Sequence, residues 1–226
     1  AGEGSQLGTT CKLDNGDCRA LSGFYLNGII HFVFHSDIGT GWNGINYNRL
    51  NISTLTNQSS TFGAVGVADY SYPSVVSYST SSTDKSVMIG FGRTSPSIYP
   101  EIRVVNCDDS MNWSGSTLVK SSINNVHYTS TTKERWGDYT GTSRKHNSSA
   151  PSIWMNGMYG NTSNQWETWI AEIHDNQLGV ADNESENKMK VYPNPVVDNF
   201  YVEFTLDTTT NLNIEIIDIN GKLVKS

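Results

Sequence analysis

The 226-residue sequence lacks any apolar run approaching the roughly eighteen residues that would mark a bilayer-crossing helix. Its most apolar stretch, residues 28–34, is interrupted by His31. Cations are also in short supply: 15 Lys and Arg against 22 Asp and Glu give a formal charge of −7. That balance opposes binding to a phosphate backbone, and with no basic stripe it excludes nucleic acid as a partner. No Gly-x-Ser-x-Gly elbow is present, and Gly90-Phe91-Gly92 has neither the third glycine nor the following helix of a phosphate loop. There are three cysteines and no Cys-x-x-Cys, so a zinc or dithiol redox centre has no sequence support. His31 and His35 share a face at i and i+4 without a third ligand; neither a metal nor a cofactor is expected. The start, Ala1-Gly2-Glu3-Gly4-Ser5, has neither a basic n-region nor an apolar h-region, so the N-terminus is expected to be internal to a longer precursor.

What the sequence does have is Gly, Ser, Asn and Thr in abundance with 11% aromatics, a mixture suited to short strands joined by polar turns. Its length accommodates one large domain and one small one. Cys11 and Cys18 bracket a turn-forming Lys-Leu-Asp-Asn-Gly-Asp loop, short enough for a disulfide worth roughly 2–3 kcal/mol, with free buried thiols as the alternative. Cys107 is left over.

A loose repeat organises the large region. Residues 29–34 and 44–50, then 86–91 and 101–105, then 152–155 and 166–173 each form a strand, a Gly-, Ser- or Asn-rich turn and a second strand. The period near sixty residues exceeds that of common propeller blades, which extended loops would explain. The expected fold is all-β and antiparallel, a partial β-propeller of about three blades, with Trp42, Trp154 and Trp169 buried. Three blades do not close a ring that needs at least four, so earlier blades are expected upstream.

Two segments carry a resemblance. Asp37-Ile38-Gly39-Thr40-Gly41-Trp42 resembles the Asp-x-Gly-x-x-Trp part of the sialidase Asp-box turn, although His35 stands where the leading Ser or Thr belongs. Residues 134–141 (Glu134-Arg135-Trp136-Gly137-Asp138-Tyr139-Thr140-Gly141), with 150–154 and 166–170, look like the terminal blade of propellers in secreted Bacteroidetes proteins. A sialidase-like hydrolase would need an arginine clamp, which Arg49, Arg93, Arg135 and Arg144 offer by type, with Tyr139 and Glu134 as nucleophile and partner. The preferred reading assigns no catalytic residue: Arg135 and Asp138 form a buried or half-buried ion pair that fixes the last blade, and Trp136 sits in the core. A glycan-binding surface would draw on Arg93, Tyr99, Arg135, Trp136 and Tyr139, because sugars stack on aromatic faces and acidic sugars need guanidinium forks. The alternative is the tail of a glycoside hydrolase whose essential residues lie upstream.

The last residues read differently. Pro193 and Pro195 hold Tyr192-Pro193-Asn194-Pro195 extended at a sheet edge; residues 200–204 and 212–217 alternate as half-buried strands; Asn220-Gly221 supplies a tight turn with Lys222 leading the return strand. Tyr192 to Pro195, with Asp218, Gly221 and Lys222, resembles the opening half of the type IX secretion sorting domain, an incomplete immunoglobulin-like β-sandwich. The resemblance implies a secreted or surface protein, exported across the outer membrane by the type IX machinery. The expected division is 1–173 propeller, 174–187 flexible acidic linker and 188–226 sorting segment.

Overall fold

The computed structural model describes residues 1–79, 81–129, 132–138, 140–146 and 151–174, together with 190–192, 201–203, 216–217 and 223–225. Among the described residues the secondary structure is entirely β, without a helix, as the alternating pattern requires. The chain divides into two compact units, Ala1–Asp175 and Asn176–Ser226.

The first unit opens with the short strand β1 (Lys12–Asp14) and continues as three successive sheets. Sheet one is an antiparallel meander of β2 (Ser22–Leu26), β3 (Ile29–Gly39), β4 (Trp42–Asn51) and β5 (Thr56–Phe62). Sheet two repeats that order with β6 (Asp69–Ser77), β7 (Val87–Ser95), β8 (Ile98–Cys107) and β9 (Thr117–Ser121). After β10 (Lys133–Arg135), which pairs in parallel with β1, sheet three among the described residues comprises β11 (Gly141–Arg144), β12 (Ser152–Gly160) and β13 (Trp166–His174). The three sequence repeats are the long central hairpins β3–β4, β7–β8 and β12–β13.

Sheet two is buried on both faces, and its sequence explains why. Along β7, Val87, Ile89 and Phe91 join Val33, Ile45 and Tyr47 of sheet one in one core, whereas the alternate Met88 joins Ile153, Met155 and Tyr159 of sheet three in another. Period-two alternation of residues that are all apolar makes a strand with two inner faces. Gly90 lies between them on the sheet-three side, where a Cβ would stand 2.5 Å from Met155 Cε. Small size here lets the sheets approach.

The first strands of the meanders, β2, β6 and β11, converge, and hydroxyl groups join them. Ser22 Oγ accepts the Val75 N–H at 3.1 Å, and Ser74 Oγ accepts the Thr142 N–H at 3.0 Å while lying 2.9 Å from Thr142 Oγ1. The N-terminal segment is bound across the same region: Gln6 bonds the backbone N–H and carbonyl of Val126, Leu7 N–H donates to Ile98 O at 3.0 Å, and Gly2 exchanges two 2.9 Å bonds with Asn43.

Tryptophan placement corrects the sequence reading. Trp154 and Trp169 are 43% and 41% exposed and Trp42 is half-buried, whereas Trp136 is the fully buried indole, packed with Leu13, Tyr72 and Val126. Strand alternation placed apolar residues correctly within each strand. It did not distinguish a sheet whose outer side is covered from one whose outer side is open.

The turn at Asp37 forms as expected from its residues. Asp37 Oδ1 accepts the Gly39 N–H at 2.7 Å and the Gly41 N–H at 3.2 Å, while Gly39, Thr40 and Gly41 all hold positive φ.

A polar cluster lies inside the first core. The His31 ring stacks on Phe24 at 4.5 Å and its Nδ1 lies 2.6 Å from the Tyr47 hydroxyl, which accepts Arg49 Nε–H. The buried Arg49 guanidinium also donates to the carbonyls of Lys85, Asp108 and Asp109, tying sheet one to two loops of sheet two. Burial, then the charges of Arg49 and Lys85, pull the His31 pKa down to about 4.

In the tail unit, β14 (Lys190–Tyr192) pairs antiparallel with β15 (Tyr201–Glu203), and β16 (Ile216–Ile217) with β17 (Leu223–Lys225). Pro193, Asn194, Pro195, Asp218, Gly221 and Lys222, like the 174–187 linker beyond His174, lie outside the described residues.

Two outcomes are expected. Ser74→Ala leaves the half-buried Thr142 N–H without its acceptor and is expected to cost about 1–3 kcal/mol in urea unfolding; Ser143→Ala on the neighbouring strand position is expected to cost less than about 0.5 kcal/mol. Because His31 has a depressed pKa in the fold, the unfolded chain binds the extra proton between its ordinary value near 6.5 and about 4. The His31 contribution is therefore fully present above that window and is lost as pH falls through it. Thermal midpoints measured from pH 7 to pH 4 should fall less steeply for His31→Gln than for the unaltered chain.

Candidate ligand pocket

At the convergence of β2, β6 and β11 the surface sinks into a cavity of about 740 Å³. Its lining comes from four places in the sequence: the N-terminal segment (Asp14, Asp17, Arg19), β6 (Tyr72 and Pro73), β10 (Lys133 and Arg135), and the approach to β11 (Asp138 and Thr140). Three carboxylates and three cations alternate around it. Arg19 pairs with Asp17, Arg135 with Asp138, and Lys133 lies 3.4 Å from Asp14 and 3.6 Å from Glu3. The bidentate contact with the Arg19 guanidinium holds the Asp17 pKa down to about 2.

Tyr72 forms the inner wall. It sits at the β-bulge between Ser71 and Ser74 with φ of +50°, a conformation an aromatic side chain rarely adopts. Its backbone bonds to side chains: its N–H donates to His35 Nδ1 at 3.3 Å, and its carbonyl accepts the Thr140 hydroxyl. The phenol donates to Asp14 O at 2.8 Å and lies 3.4 Å from Asp138 Oδ1. Burial, reinforced by Asp138 and Asp14, raises its pKa far above the ordinary phenol value, so it remains a neutral donor. His35 is fully buried, with Nε2 2.5 Å from Asn15 O, so Nε2–H donates and Nδ1 is left to accept. Burial lowers its pKa and keeps that neutral form. Gly137, at φ of +66°, presses against the Tyr72 ring where a Cβ would come within 2.8 Å.

The residues singled out from sequence do not come together. Arg135 borders the pocket and is 80% exposed, so its ion pair with Asp138 lies at the surface and not, as the sequence suggested, in a buried position. Trp136 points away into the core. Arg93 lies 3.1 Å from Glu101, which also takes Arg103, and so serves sheet two's own surface. Tyr99 is half-buried beside Gly8, and Tyr139 lies outside the described residues. Cys11 and Cys18 are not joined: the chain has no disulfide, with Cys11 and Cys107 buried and Cys18 exposed. Cys11 immediately precedes β1, and that strand's pairing with β10 draws it into the interior, while Cys18 remains at the surface beside the N-terminal amine. Burial raises the Cys11 pKa and takes that of Cys107 up to about 11, which makes both poor nucleophiles. Among the described residues no group of three or more metal-ligating side chains is present, and no helix is long and apolar enough to cross a membrane.

Sequence reasoning missed Asp14, Arg19, Tyr72, Lys133 and Thr140. Their signal is weak because each looks like an ordinary turn or strand residue; only the meeting of β6, β10 and the approach to β11 with the N-terminal segment makes them neighbours.

Residues 190–226 match the family described as the secretion system C-terminal sorting domain. This match supports a secreted protein that engages the type IX machinery and is exported across the outer membrane. No curated protein and no solved structure matches the chain.

Proposed function

We propose that this chain is a type IX cargo whose 1–173 region is about three blades of a sialidase-like β-propeller, acting without catalysis as a ligand-binding module. The observation that carries the binding assignment is the charged cavity where the N-terminal segment, β6, β10 and the approach to β11 meet. Ring-like arrangements of meanders place their ligand sites where loops of several blades converge, and this cavity draws on segments about 120 residues apart in sequence, from Asp14 to Asp138.

The chemistry favours a polyhydroxylated ligand such as a glycan. Alternating carboxylates, guanidinium groups and a neutral phenol offer donors and acceptors without a dominant charge, and Leu21 and Pro73 add apolar surface. An acid-sugar hydrolase is supported less well. Arg49 is committed to three carbonyls, Arg93 and Arg103 to Glu101, and Arg135 to Asp138, so those arginines do not form a common clamp.

Two measurements test the reading. In a type IX-competent strain a reporter carrying residues 188–226 is expected outside the cell, and in a strain lacking that system it is expected to be retained; equal export in both would refute the sorting assignment. Independently, the unaltered chain is expected to bind members of a glycan array, with Arg135→Ala and Asp138→Asn each weakening binding by about tenfold through loss of a charged hydrogen-bonding group. Binding unchanged in both variants removes this cavity from consideration while leaving the export assignment intact.

A further inference from the structure

The three meanders differ in one respect. Sheets one and two end in a fourth strand, and among the described residues sheet three has none beyond β13. The fourth strands are built as edges: β5 is Thr-Asn-Gln-Ser-Ser-Thr-Phe, and β9 is five residues long and carries Lys120. Polar composition, short length and lysine are the means by which natural edge strands avoid pairing with another chain. Strand β13 is neither short nor lysine-bearing, and five of its nine residues are apolar. It runs nine residues, and it leaves Trp166 51%, Trp169 41% and Ile170 69% exposed. Its counterparts β4 and β8, each covered by a fourth strand, are mostly buried.

Strand β13 pairs with β12 through all nine residues, from Ser152 opposite His174 to Gly160 opposite Trp166. Its opposite edge has no partner strand among the described residues. In an antiparallel sheet the N–H and C=O groups on that side point outward in pairs, ready to continue the ladder.

We propose that this edge pairs antiparallel with the same strand of a second copy, so that two third sheets join across a twofold axis near Trp169. Three observations favour a second copy over another partner. Among the described sheets of the first unit the nine-residue edge strands are β6, which β2 and β11 meet, and β13, so a second copy supplies the matching free edge. The exposed side chains lie on both faces of the strand, with Trp169 on one and Trp166 and Ile170 on the other. In that pairing Trp169 meets its mate on one face, and Ile170 lies diagonal to its own mate and to the mate's Trp166 on the other. The charges also permit it. With Trp169 opposite its symmetry mate, Glu167 stands across from Ala171 and Glu172 across from Trp166, so no two acids meet. Glu167 is already held by Tyr159 and Asn161, and Glu172 by Lys145, which leaves neither carboxylate aimed outward without a partner.

The test is the mass of the full chain in solution by sedimentation equilibrium over a range of concentrations, with Cys18→Ser present throughout to exclude disulfide cross-linking. The unaltered β13 is expected to give a reversible dimer. Ile170→Lys places a lysine on an exposed edge position and is expected to weaken dimerisation by about tenfold or more, with an unchanged circular dichroism spectrum. Leu55→Lys, at an equally exposed apolar site outside β13, is expected to leave the dimer intact. A chain that stays monomeric at every concentration overturns the proposal, as does a dimer that tolerates Ile170→Lys or is lost equally with Leu55→Lys. If Ile170→Lys alters the spectrum, Thr168→Lys on the same strand takes its place: it too is expected to weaken the dimer, and a dimer that tolerates it overturns the proposal.

Discussion

The contact on which the first unit depends is the line of hydroxyls Ser22, Ser74 and Thr142 across the converging strands β2, β6 and β11. Each of these strands is the open edge of its own sheet, and twisted sheets packed face to face do not present those edges in register for a common ladder. Unpaired backbone groups in so crowded a place would each cost about 1–3 kcal/mol. A serine side chain is short enough to reach a neighbouring strand's amide without demanding strand alignment. Three small hydroxyl residues therefore do what a ladder cannot, and the two apolar cores follow from the spacing they set.

The same geometry creates the pocket wall. To bring Ser74 onto Thr142, β6 bulges between Ser71 and Ser74, and the bulge forces Tyr72 into a left-handed backbone conformation. Such a conformation costs on the order of 1–3 kcal/mol for a non-glycine residue and persists only where its surroundings over-determine it. Here His35 accepts the Tyr72 N–H, Thr140 donates to its carbonyl, Asp14 takes the phenol and Gly137 gives room for the ring. Four residues from three segments hold one strained residue, which places a neutral phenol at the cavity wall.

Legibility from sequence followed the range of the interaction. Local signals were reliable: alternation placed the central hairpins at residues 29–50, 86–105 and 152–173, and Asp37 caps its turn as its spacing from Gly39 and Gly41 implies. The burial of Trp136 was also legible, and so was the pairing of Arg135 with Asp138 three residues on, but that pair stands at the surface and not in the buried position expected of it. What failed depends on which elements meet. Cys11 and Cys18 share a loop, yet β1 pairs with β10 from a distant part of the sequence and separates them by environment. Trp154 and Trp169 have the same alternation as residues in sheet two, but they stand in the sheet with one face and one edge uncovered. Arg93 and Tyr99 have the chemistry of a binding surface and are kept from it by Glu101 and by the N-terminal segment.

Buried charge is handled in one consistent way, and it explains how so polar a chain keeps its loops in place. Arg49 is satisfied by carbonyls of two loops, and Asp69 by the backbone N–H and side-chain amide of Asn43. A buried ion pair would need two desolvated side chains in ideal geometry, and its net gain is often nil. A lone charge bonded to backbone dipoles desolvates only one, and each bond is worth more than its neutral counterpart. It also fixes a particular loop, since backbone groups cannot rotate away as a partner side chain can. Arg49 thereby fixes the segments at Lys85 and Asp108–Asp109 against sheet one, and Asp69 fixes Asn43, which in turn binds Gly2. The Ser5 backbone also bonds Asp69, so this carboxylate holds the N-terminal segment both directly and through Asn43, and the segment supplies one wall of the pocket.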